Sequence, residues 1–299
     1  MQLKEIILQT RQSLQAAVNS NWDLVDRHPP VTHFQLAPDI QITELDSQLA
    51  EQVMDCCDSQ PFGMPKPVKQ SPQLYSFVRN ATNYTNLWDW ELDQRLETCV
   101  ALSRLVHPTS FPLEYHVKIS LDDEGKLHEL IPLSGAYRGA WIAERERDWL
   151  TENDCVELQK LIAQLPLMLP NRLSRAFWYN EYAARTYFGD VRWTLIATAL
   201  EALVHTDRIS STAQFVGRTE ELARAAGLSG YTRDEAARFY DRRSSLAHGQ
   251  GQGTLLPEDQ TLYVLGEDLL RAILRRAILE PTFATTFENA DSVRKNWPI

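Results

Sequence analysis

Two residues near the end of one segment, Arg243 and His248 in Tyr240-Asp-Arg-Arg-Ser-Ser-Leu-Ala-His248, have the types that act on phosphate esters. A guanidinium stays charged and grips a phosphate through paired N–H bonds. An imidazole titrates near neutral pH, so it can take or give a proton. Arg243 falls on the apolar stripe marked by Ala236, Phe239, Tyr240, Leu246 and Ala247, where an unpaired charge is costly and calls for an anion. Glu201, at the edge of another apolar stripe in Ala199-Leu-Glu-Ala-Leu-Val204, is the candidate partner. His248 follows Arg243 by five positions, about 140° around a helix, so the two flank a cleft rather than share a ridge. Spacing alone is weak: with 23 arginines and 7 histidines, chance produces about half an Arg-x4-His match. A similar pairing, Arg27-His-Pro-Pro-Val-Thr-His33, cannot lie inside a helix because of its two prolines.

The elements that position these residues are legible. Thr232 and Glu235 form a capping box that opens a helix over 232–248, and Gly249 is a natural stop. Glu201 lies on a helix over 190–205, with Trp193, Ile196, Ala197, Leu200, Leu203 and Val204 at helical period. Further helices are expected over 152–165, 171–187, 212–226 and 258–279, separated by Pro166, Pro170, Gly189, Gly227 and Gly230. The first half reads differently. Residues 3–18 carry helical spacing, 31–44 look extended, 60–73 form a proline-broken loop and 88–106 are helical. Leu113, Tyr115, Val117 and Ile119 alternate with Glu114, His116, Lys118 and Ser120 as in a half-buried strand. Asp122-Asp-Glu-Gly125 turns it into a partner over 126–132. The expectation is an α+β domain over 1–150 followed by an all-α helical bundle over 151–299.

Residues 190–253 resemble the HEPN superfamily, most closely its Apea-like branch from phage-defence proteins. The resemblance is carried by Ala199-Leu-Glu-Ala-Leu203 and Tyr240-Asp-Arg-Arg-Ser-Ser-Leu-Ala-His-Gly249, in that order and separation, and extends over about 152–280. It implies a HEPN-like fold for the helical half and a metal-independent endoribonuclease, a toxin or defence effector, with no cofactor. Arg243 and His248 would be the catalytic pair, with Glu201 as the supporting acid. Ser244 takes the polar position where many relatives have Asn, Asp or His. Some relatives carry a modifiable Tyr two residues after the histidine; here Gln250 stands there. The resemblance also implies a homodimer in which both motifs line one cleft, and it allows for an antitoxin or sensor partner. RNA suits these residues: its 2′-OH is the nucleophile, a base takes that proton, a cation stabilises the phosphorane, and an acid protonates the leaving 5′-oxygen. The product carries a 2′,3′-cyclic phosphate.

Alternatives stay open residue by residue. His248 also suits a helix C-terminus, where a cation is favoured. Arg243 with Glu201 also suits a structural ion pair. Arg238, Arg242 and Tyr240 are candidate substrate contacts, though arginines such as Arg233, Arg238 and Arg242 more often make a solvated face. Arg271, Arg275 and Arg276 either extend a basic rim or balance nearby acids. The aromatic run Phe177-Trp-Tyr-Asn-Glu-Tyr182, with Tyr187 and Phe188, reads as core or dimer interface, and Trp88-Asp-Trp90 as core. A non-catalytic helical module that binds RNA, a nucleotide or a protein is the rival function. A metal-dependent nuclease lacks a carboxylate cluster at ligand spacing.

Composition excludes other classes. Net charge is −10, with 13 basic against 21 acidic residues over 1–150 and 17 against 19 over 151–299. A nucleic-acid binder working by overall charge is thus excluded; contact would need a local cluster. Cys56, Cys57, Cys99 and Cys155 form no Cys-x-x-Cys pair and have no histidine at metal-ligand spacing, so reduced thiols are expected. No Walker loop, Gly-x-Gly-x-x-Gly, Gly-x-Ser-x-Gly or His-Glu-x-x-His occurs. No apolar run spans a bilayer, and Lys4, Glu5 and Arg11 break the N-terminal stretch, so a cytoplasmic location without membrane contact is expected. The 1–150 region, poor in site-like residues, is assigned a sensing, regulatory or targeting role.

Overall fold

Helical spacing over residues 3–18 gives way to a strand. In the computed structural model β1 (Gln2–Thr10) is a central strand, flanked antiparallel by β4 (Gln73–Ala81) and β5 (Glu114–Leu121). Ile6, Ile7 and Leu8 are all buried. A strand covered on both faces has a continuous apolar run, whose spacing also satisfies a helix; this is why periodicity misreads it. The described residues are 1–10, 27–58, 73–81, 84, 86–88, 90, 94–109, 114–134, 147, 149–166, 168–186, 188–207, 209–248 and 257–299. The later part of the expected 3–18 helix, most of the 60–73 loop, Leu113, Tyr187 and the 249–253 glycine run lie outside them.

The extended stretch expected over 31–44 is a hairpin of β2 (His33–Ala37) and β3 (Ile40–Thr43), and β6 (Leu127–Ser134) is the expected hairpin partner of β5. The antiparallel sheet runs β2-β3-β4-β1-β5-β6. α1 (Ser47–Asp58) packs through Ala50, Val53 and Cys57 on the face made by Ile6, Leu8, Val78, Tyr115, Val117 and Ile119. The alternation on β5 predicts a wet opposite face, but that face is covered: His116 and Ser120 are buried. α2 (Arg95–Val106) lies on that side, where charges accompany each other inside. His116 Nε2 sits 2.9 Å from Glu5 Oε1, and Asp39 is paired with Arg79 at 3.2 Å and Arg95 at 3.0 Å. α2 begins at Arg95 rather than 88. Trp90 is core, whereas Trp88 is exposed and its indole N–H donates to Glu129 at 3.1 Å.

α3 (Glu152–Gln164) buries Cys155, Leu158 and Leu161 on one stripe. The described residues up to Ala163 cluster as one compact unit and those from Gln164 as a second, so this helix, expected to open the bundle, goes with the sheet. Cys57, Cys99 and Cys155 are buried, and burial pushes the Cys99 and Cys155 thiols up to about 12.

The second unit is helical. α4 (Asn171–Arg185), α5 (Gly189–Val204), α6 (Ser211–Ala225), α7 (Arg233–Ala247) and α8 (Pro257–Leu279) follow the expected segments within two residues. α5 is the hub, touching α4, α6, α7 and α8. Its Trp193 stacks on Phe239 of α7 at 4.9 Å between ring centroids, and its indole N–H donates to the Phe239 carbonyl at 3.2 Å. Gly266 lets α8 approach: a Cβ there would lie 2.3 Å from the Phe239 ring. Residues 281–299, with no element expected, form α9 (Pro281–Ala284), a 3-10 turn and α10 (Ala290–Asn296), held by Phe283, Phe287 and Trp297.

Candidate functional site

The candidate site begins where α5 and α7 are locked by the Trp193–Phe239 stack. One residue beyond Phe239, Tyr240 packs on Phe215 of α6 at 4.5 Å. One turn beyond Phe239, Arg243 reaches Glu201, one helical turn before the end of α5. Arg243 Nη2 donates to Glu201 Oε2 at 3.0 Å, and the guanidinium carbon lies 5.8 Å from the Tyr240 ring centroid. The Tyr240 hydroxyl is engaged by the side chains of Ser211 and Glu201. Burial, then the Glu201 charge, pushes its phenol above the ordinary range, against the opposing pull of Ser211 and Arg243. Tyr240 is therefore a neutral donor that helps hold Glu201.

The α7 start matches expectation: the Thr232–Glu235 capping box is formed. Its end does not. Ala236 and Phe239 are buried, but Leu246 is half-buried and Ala247 exposed, so the stripe ends before the last turn. Arg243 and Glu201 retain 28% and 19% of their side-chain exposure, so the pair is reachable from solvent. Arg243 Nε is buried without a hydrogen-bond partner among the described residues. His248 is the C-cap of α7, exposed, with its backbone N–H on the Ser244 carbonyl at 3.1 Å. Among the described residues its ring makes no hydrogen bond or ion pair. Ser244 is half-buried in the intervening turn.

The structure thus brings Arg243, Glu201 and Tyr240 together and leaves the exposed His248 ring without a bond to the described residues at the helix end. It takes Arg242 elsewhere: Arg242 pairs with Asp259 of α8 at 2.9 Å, a tie between helices. Arg238 is exposed and has no ion pair among the described residues. Arg233 faces Glu220 at 3.4 Å. Arg271 pairs with Asp268, and Arg276 with Glu280, which answers acids rather than building a rim. Phe177 is buried, while Tyr182 and Phe188 are exposed.

Two clusters have no sequence signal. One is the Glu5–His116 pair with Arg79, Asp39 and Arg95, assembled across four elements. The other surrounds His205, where Arg172, Arg218 and Arg294 converge from α4, α6 and α10. Neither has a local pattern, because each member comes from a distant segment. Among the described residues no group of three His, Cys, Asp or Glu has the arrangement to hold a metal ion. Compared with protein-family models, curated proteins and solved structures, the chain matches none of them.

Proposed function

We propose that the helical unit is a HEPN-like endoribonuclease that cleaves RNA by attack of its own 2′-OH, acting as a toxin or anti-phage defence effector. The observation that carries this is the solvent-reachable Arg243, braced by Glu201 and Tyr240, on the helix that ends in an unengaged His248. A sealed pair would favour a purely structural ion bridge; this one is open on one side. Glu201 fixes the guanidinium through Nη2, and the part-exposed side chain keeps other N–H groups for a phosphate oxygen. Arg243 stabilises charge on the phosphorane. His248 exchanges protons with the 2′-OH or the leaving 5′-oxygen, and its place beside a helix end leaves it room to move. The products are a 2′,3′-cyclic phosphate and a 5′-hydroxyl. Purified protein incubated with total RNA and tRNA is expected to cleave equally with and without EDTA. Activity lost on chelation and restored by Mg²⁺ or Mn²⁺ overturns this chemistry.

The working form in this proposal is a homodimer through the helical unit, with Arg243 and His248 of both protomers near the two-fold axis. Exposed Tyr182, Phe188 and Val191 on α4, α5 and the turn between them support it, since large apolar side chains in water favour association. Light scattering at micromolar concentration should give twice the chain mass, and a monomer there rejects the dimer.

The rival, a non-catalytic module binding RNA, a nucleotide or a protein, is favoured by one observation: Arg243 already has an anionic partner inside its own chain. The same incubation separates the two, because such a module retains RNA without cutting it.

A further inference from the structure

α5 ends at Val204, and the next residue, His205, is the single non-glycine residue of positive φ (48°) among those described. This unfavourable backbone turns the imidazole into a ring of guanidiniums. Arg172 donates from Nη1 to the Ala202 carbonyl at 2.7 Å, and its Nη2 lies 3.1 Å from His205 Nδ1. Arg218, buried, donates to the carbonyls of Val204 and Trp297, each at 3.0 Å, and to that of His205. Arg294 Nη2 lies 2.9 Å from His205 Nε2.

These contacts cannot all be hydrogen bonds. A guanidinium has no acceptor, and a neutral imidazole has one. Burial and the three guanidiniums hold the imidazole below its ordinary value, against the single opposing pull of Asp207, so it is neutral at neutral pH. Arg172 is anchored by the Ala202 carbonyl and half-buried, and we assign Nδ1 as its acceptor; with either tautomer one of the two guanidinium contacts sets donor against donor. Nε2 then carries the hydrogen and meets the N–H of Arg294. Two donors converge with no acceptor between them.

The local charge points the same way. Arg175 adds a fourth cation beside Arg172. The acids nearby are Asp207, held by Gln214 and the amides of Ile209 and Ser210, and Asp291, 2.9 Å from Arg294 Nη1. Among the described residues four cations therefore gather here in a chain of net charge −10. Capping of the α5 C-terminus accounts for Arg218 and for one arm of Arg172. It does not account for Arg294 or for the hydrogen on Nε2.

We propose that His205, Arg172 and Arg294 form a binding site for a phosphate monoester dianion, the terminal phosphate of a nucleotide or of an RNA end. Such a group accepts only, carries several oxygens, and can bridge the adjacent Nε2–H and Arg294 fork, with Arg218 as a fixed charge behind. The site is independent of the ribonuclease chemistry at Arg243.

The test is binding to the full chain. Calorimetric titrations would use inorganic phosphate, AMP, and a short oligoribonucleotide bearing a 5′-phosphate or a 5′-hydroxyl. The His205 ring would be followed by NMR and assigned with His205→Gln. Saturable binding is expected to shift the His205 ring signals, with affinity weakened about tenfold or more in Arg294→Gln, whose side chain is 49% exposed. A preference for the 5′-phosphorylated strand over the 5′-hydroxyl strand and AMP assigns the site to RNA ends. AMP and inorganic phosphate binding without the strands assigns it to a free nucleotide. Heat signals that do not saturate, binding unchanged in Arg294→Gln, or His205 signals that do not move each overturn the proposal.

Discussion

Replacing His248 with alanine is expected to slow RNA cleavage by about 10²–10⁴-fold, the scale of a lost general acid or base. The same change should alter the unfolding free energy by only about 0–1 kcal/mol, the scale of a lost helix-dipole contact. The separation follows from its place. His248 caps α7 in an exposed position, and its ring is bonded to no described group, so truncation opens no cavity and strands no partner. Initial rates on a defined RNA, with urea denaturation of the same preparations, give both numbers. A His248→Ala protein that cleaves as fast as wild type removes the ribonuclease assignment from this site.

Arg243→Ala should cost about 10²–10³-fold in cleavage, as for removal of a charge-stabilising donor, and should also destabilise the fold. A fully buried pair broken on one side costs about 3–5 kcal/mol. Here both side chains keep some water contact, at 28% and 19%, which screens the stranded carboxylate. The expected loss is therefore about 1–2 kcal/mol, between the values for surface and buried pairs. Arg243→Met combined with Glu201→Leu removes both charges and should regain most of that stability without regaining activity. If Arg243→Ala loses no more stability than His248→Ala, Glu201 is not held by this guanidinium, and the Tyr240 hydroxyl suffices to keep it in place.

The helical unit was legible because its signals are local. The Thr232–Glu235 box, the proline and glycine stops and the stripe on α5 each act within a few residues, so element positions emerge from the chain alone. The Glu201–Arg243 pairing was legible for a related reason: a charge on an apolar stripe demands a partner, and one carboxylate on an earlier helix shared that oddity. β1 was misread because a strand buried on both faces loses the alternation that marks a half-buried one. α3 was assigned to the bundle because a helical pattern does not say which core its Cys155–Leu158–Leu161 stripe will join.

By itself, the sequence determined the ends of α4 to α8 within two residues, the hairpin between β5 and β6, the absence of familiar catalytic loops, and the need for an anion beside Arg243. Tertiary structure alone decided that Arg242 serves Asp259, that His116 meets Glu5 across the sheet, and that three arginines gather at His205. Local propensities act over a turn or two of chain. Which distant side chains share a pocket is settled by how helices and strands bury their apolar faces, and the charged groups are carried along.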